Sequence, residues 1–178
     1  MNAPISNDAD WSKGPWERTC KTRLIRQRQA TDCGVACLSM VARVAYEEAH
    51  NTFAGLGCDK GRRPMATNFR QMELALREHG VMVRRSRWGG WKAFQGIGVL
   101  KVQVKPQADR EAQLNRNWHW VVAERHPRFG IVLRDPACPL VALEKPPMNV
   151  MHQDLSRYQP YGGWITVVGQ RACAKTLS

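Results

Sequence analysis

This chain of 178 residues lacks several of the signatures that usually announce a function. None of its six cysteines stands in a Cys-x-x-Cys pair, which argues against a zinc ribbon and a redox dithiol. The five histidines form no closely spaced ligand group, so neither a metal nor another cofactor is expected. No apolar run approaches the roughly 18 residues that a membrane span needs. The polar opening MNAPISNDADWSKGPWERTCK has no apolar core of the signal-peptide kind, and with free thiols this points to the cytoplasm. The Gly-rich nucleotide loop that ends in Gly-Lys-Ser/Thr is absent as well. Acidic residues are scarce: 15 Asp and Glu face 27 Lys and Arg, a net charge of +12.

Much of that charge lies in RTCKTRLIRQR, DKGRR and VRRSRWGGWK. Clusters of this kind attract nucleic acid, anionic lipid or an acidic protein partner, or simply solvate a surface. Trp88 and Trp91, beside Arg84, Arg85 and Arg87, read either as a stacking platform or as local core.

The length suits one domain with a proper core. From Gly34 to about Glu48, apolar residues cover most of a helix surface, which predicts one central buried helix capped by Asp32 or Thr31. NFRQMELALREHG predicts a second helix ending at Gly80. Strands are expected at VMVRRSRW, GIGVLKVQV, NWHWVVAE and GIVLRDP, with a final one after a turn at Gly162-Gly163. Helices first and an antiparallel sheet after make an α+β order. The expected division is a loose tail over 1–21, a domain over 22–167 and a tail over 168–178.

Cys33 stands where the first helix begins, between Asp32 and Gly34. A helix N-terminus carries partial positive charge and unpaired N–H groups, which favour a thiolate. The plainer reading, a small buried hydrophobe, suits Cys37 better than Cys33. A nucleophilic thiol also needs a base and a group that orients the base. A hairpin turning near Pro127 would set His119 opposite Asp135, Val121 opposite Leu133 and Ala123 opposite Ile131, all on one sheet face. The helix begun by Cys33 would then pack across that same face.

QRQATDCGVACLSM, followed by HWVV and VLRDPA, resembles the peptidase domain of bacteriocin exporters, the double-glycine peptidases of the papain-like cysteine protease group. Gln27, six residues before the cysteine, and then Asp32, Cys33, Gly34 and Ala36 follow that family's pattern. His119-Trp120-Val121-Val122 and Asp135-Pro136-Ala137 follow its later blocks. The likeness spans roughly residues 22–167 and implies a papain-like fold, with a helical half and an antiparallel-sheet half. It further implies Cys33 as nucleophile, His119 as general base, Asp135 as its orienting group and Gln27 as an oxyanion donor. The substrate so implied is a peptide cut after Gly-Gly. The segment KPQADREAQLNRN is longer and more polar than the family pattern, and the transporter modules often fused to such domains are not in this sequence, so a stand-alone peptidase is expected. Two other readings stay open. One is a basic module on this fold that docks on nucleic acid or an acidic partner, and the other is a cysteine amidase or deamidase acting on another protein.

Overall fold

A computed structural model describes residues 15–105 and 118–170. Three helices come first: α1 (Cys33–Ala42), α2 (Tyr46–Gly55) and α3 (Phe69–Glu78). The strands are β1 (Val81–Arg87), β2 (Ile97–Val104), β3 (His119–His126), β4 (Gly130–Arg134), β5 (Ala142–Leu143), β6 (Gln153–Asp154) and β7 (Tyr158–Gln170). They form one sheet in the order β1-β7-β2-β3-β4-β5-β6, antiparallel except between β5 and β6. This is the expected α+β arrangement.

The single helix expected over 34–48 is two. Arg43 takes a left-handed φ of 59°, and the Ser39 hydroxyl donates to the Val44 carbonyl at 2.6 Å across the break. Val44 still packs on the core, so the apolar pattern runs through the turn and hides it. All ten residues of α1 are buried, as a helix apolar on every side must be. α3 opens with a capping box, in which the Asn68 side chain accepts from Gln71 N–H at 3.0 Å and Gln71 returns the bond at 2.9 Å. It gives way to Gly80 at φ 72°, a position that favours glycine.

The sheet has two covered faces. Val99, Trp120, Val122 and Ile165 pack against the helices. Leu100, Val102, Val121, Ala123, Ile131 and Leu133 pack with Phe94, Tyr158 and Trp164 on the other side. Trp88 and Trp91 belong to that second core, edge to face at 4.8 Å, and not to an open platform. The expected turn at Gly162-Gly163 is a bulge inside β7: Gly162 has φ 67°, and the register against β2 shifts between Leu100 and Val102.

Two expectations about the β3–β4 hairpin are corrected. Val122 faces Arg134 and Ala123 faces Leu133, so the register is two residues from the one expected. The turn sits one residue later, where His126 Nδ1 accepts from the N–H groups of Arg128 and Phe129 at 3.1 and 3.3 Å. A shift of two keeps every side chain on its face. The second correction is the packing of α1, which lies on the Trp120 and Val122 face and not on that of Val121 and Ala123.

Packed structure extends past 22–167 at both ends. A 3-10 turn over Pro15–Thr19 sets Trp16 edge-on to Phe129 at 5.5 Å, and β7 continues to Gln170. The buried Glu124 accepts from the N–H groups of Lys21 and Thr22 at 2.9 and 2.8 Å and lies 3.6 Å from the buried Arg134. The rest of the expected tails, and nearly all of KPQADREAQLNRN, fall outside the described residues.

Candidate active site

Cys33 is the first residue of α1 and is 8% exposed, in contact with the core but open to a cleft. Cys37, one turn on, is fully enclosed, and burial pushes its thiol well above the usual range. Asp32 holds the N-cap position as expected, but its side chain makes no capping hydrogen bond. Its carboxylate accepts from the Gln29 N–H, with both oxygens within 3.1 Å, and from the Tyr46 hydroxyl. That network closes the loop ahead of the cysteine. Gly34 is needed for close approach: a Cβ there would stand 2.5 Å from Thr67 Oγ1.

His119 opens β3, beside Val102 of β2. The ladder to β4 stops at Val122, so no strand lies beside His119 on its other side. The turn 135–137 occupies that place, and His119 Nε2 meets Asp135 Oδ1 at 2.5 Å. This engagement leaves Nδ1 free of Asp135, on a ring that shares the cleft with the Cys33 thiol. Burial is the largest single effect on the His119 ring and opposes its charge, but the hydrogen bonds and charges of Asp135 and Cys33 outweigh it. His119 is raised to about 10. Burial likewise works against the Asp135 carboxylate, and the bond to His119, the Ala137 N–H at 2.8 Å and the Tyr158 hydroxyl at 3.1 Å pull it below its usual range.

Gln27 completes the group. Its N–H donates to the Pro136 carbonyl at 3.1 Å, which ties the loop before Cys33 to the turn after Asp135. Its side-chain Nε2 donates to Gln29 O at 2.8 Å, one of the two protons that nitrogen carries. Cys33, His119, Asp135 and Gln27 thus line one cleft of about 810 Å³. Elsewhere, His126 meets Thr19 Oγ1 at 3.0 Å and His79 meets Thr52 Oγ1 at 2.8 Å.

The family model described as Peptidase C39 family matches residues 21–150. The chain belongs to the peptidase C39 family. That membership supports a cysteine peptidase. No curated protein matches the chain. Among solved structures it is similar to a double glycine motif protease from an AMS/PCAT transporter, in complex with the leader peptide. The two share 21% identity with a TM-score of 0.51, over 82% of this chain and 89% of that one, a likeness of fold.

Three residues in or behind this C39 cleft carried no signal in the sequence. Tyr158, which no sequence motif singled out, reaches Asp135 from β7. Thr67 seals Gly34, and its carbonyl accepts from Trp120 Nε1 at 3.2 Å. Lys101 sits in the cleft wall, opposite Trp120. Each comes from a different element, and only the fold relates them. Among the described residues no group of three or more His, Cys, Asp or Glu could hold a metal, and no helix is long and apolar enough to cross a membrane.

Proposed function

We propose that this C39 domain is a papain-like cysteine peptidase that cuts peptide bonds after Gly-Gly. The observation that carries this reading is that Cys33, His119 and Asp135 meet in one open cleft, with His119 hydrogen-bonded to Asp135 and its pKa raised by both Asp135 and Cys33. A ring held by Asp135 at Nε2 has Nδ1 turned to the thiol and takes its proton, giving a thiolate–imidazolium pair. The thiolate attacks the scissile carbonyl carbon. The oxygen that becomes negative accepts from the Cys33 N–H and from the second Nε2 proton of Gln27. Protonated His119 then gives its proton to the leaving amine, the C–N bond breaks, and a thioester remains. Water, deprotonated by His119, releases the acid and restores the thiol. The helix N-terminus at Cys33 and the Asp135 charge both favour the charged pair.

The Gly-Gly preference draws on the likeness to the double-glycine family. It requires a channel beside Cys33 that excludes side chains at two successive positions. The test is incubation with a peptide library and mass-spectrometric reading of the cut sites, with Cys33→Ala as control. Cuts clustered after Gly-Gly support the whole reading. Cuts after large residues remove the double-glycine preference, and deamidated but intact peptides would replace peptidase by deamidase.

A further inference from the structure

Lys101 occupies the middle of β2, directly opposite Trp120, and lines the cleft with Cys33 and His119. Its ammonium stands 5.2 Å from the Trp120 ring centroid and 5.9 Å from that of Phe69. The side chain is half-buried, and burial lowers its pKa while the nearby Cys33 opposes that shift. A partly desolvated cation normally has an anionic partner, and two ring faces replace only part of the lost hydration.

No carboxylate among the described residues supplies that partner. Asp135, the acidic side chain of the cleft wall, is taken up by His119, the Ala137 N–H and Tyr158. Glu73 pairs with Arg85 at 2.8 Å, and Arg85 itself covers the Phe69 ring at 4.4 Å. The open side of the Lys101 ammonium is therefore the cleft, where a substrate chain would lie.

We propose that Lys101 is a specificity-determining residue that pairs with a carboxylate side chain of the peptide substrate, close to the bond that is cut. This rests on the peptidase reading of the same cleft. The preferred substrate is a peptide with Glu or Asp at one fixed distance from the scissile bond. The Trp120 and Phe69 rings, edge to face at 4.9 Å, both lie on one side of the ammonium and leave it open toward the cleft, so the preference is confined to one register and is not a general liking for acidic peptides.

The experiment uses peptides of one sequence ending in Gly-Gly plus a reporter, with a single Glu or Gln moved through each position before the cut. Binding to the Cys33→Ala protein is read by fluorescence anisotropy, so the result does not depend on turnover. One register should bind the Glu peptide about tenfold more tightly than its Gln twin, as a charge-assisted hydrogen bond in a partly dry site would give. Lys101→Met, made in the same background, should erase that difference. Lys101→Arg should keep most of it, and Lys101→Glu should favour Lys at the same position. No preference in any register, or a preference that survives Lys101→Met, overturns the proposal. Cutting of the same panel by the wild-type chain is scored in parallel. If nothing is cut, the peptidase reading fails, while the binding data still decide the role of Lys101.

Discussion

His119 and Asp135 hydrogen-bond at 2.5 Å although the hairpin ladder does not pair them. Continued past its end, the register would set His119 against Ala137, so Asp135 reaches it diagonally from the turn that follows β4. The bond therefore depends on that turn, which the Ala137 N–H to Asp135 and the Gln27 N–H to Pro136 hold in place.

The pH dependence of cleavage follows from this pair. A His119 raised to about 10 stays protonated through neutral pH, and the charged pair is lost as pH rises through that value. The alkaline limb of kcat/KM should thus have an apparent pKa near 10. Asp135→Asn removes a negative neighbour and should move the limb to lower pH while leaving measurable activity. The stabilisation that His119 gives the fold runs in the same sense: it is complete below about 6.5 and fades as pH climbs toward the raised value. A pH–rate profile of both proteins checks this, and an unmoved limb in Asp135→Asn would break the assignment.

Tyr158→Phe should act through Asp135 and not on the substrate. The lost hydroxyl bond raises the Asp135 pKa, weakens its hold on His119 and shifts the alkaline limb in the same direction, by less. KM should change little and kcat should fall several-fold, measured beside a thermal melt that stays close to wild type.

Gln27→Ala should lower kcat by about 10²- to 10³-fold, the usual cost of one oxyanion donor. Because the Gln27 backbone N–H makes the bond to Pro136, the loop should remain in place and KM should move far less than kcat. A KM that rises while kcat holds would assign Gln27 to substrate binding instead.

Gly34→Ala tests the contact behind Cys33. The added methyl meets Thr67 Oγ1 at 2.5 Å, and overfilling of this kind costs about 1–3 kcal/mol. Activity should fall further than stability, since the strain lies next to the nucleophile. Urea unfolding and steady-state kinetics of one preparation separate the two effects.

Much of this was legible in sequence because it is local. The start of α1 at Cys33, the α3 ending at Gly80 and four of the strands follow from spacing and turn residues within a few positions. What failed was either long-range or set by local side-chain bonds that spacing does not reveal. Both faces of β3 are apolar, Trp120 and Val122 on one and Val121 and Ala123 on the other, so alternation could not tell which face α1 would cover. The hairpin register was set by a turn held by the His126 ring, an interaction that no turn-residue rule encodes. Asp32 looked like a helix cap because its competing partner, the Tyr46 hydroxyl, lies beyond the break between α1 and α2. His119 and Asp135 stayed neighbours despite the wrong register, since a slip of two preserves the face, and Cys33 reaches them at the open end of β3, where the ladder to β4 has stopped.

The most direct test of the account is the rate at which each cysteine is alkylated by iodoacetamide at about pH 6, followed by peptide mapping. Cys33 should react well ahead of the rest and Cys37 should stay unmodified in the folded protein, with His119→Ala abolishing the advantage of Cys33. Equal labelling of all accessible thiols, or a Cys33 rate unchanged by His119→Ala, would contradict a nucleophile activated by His119.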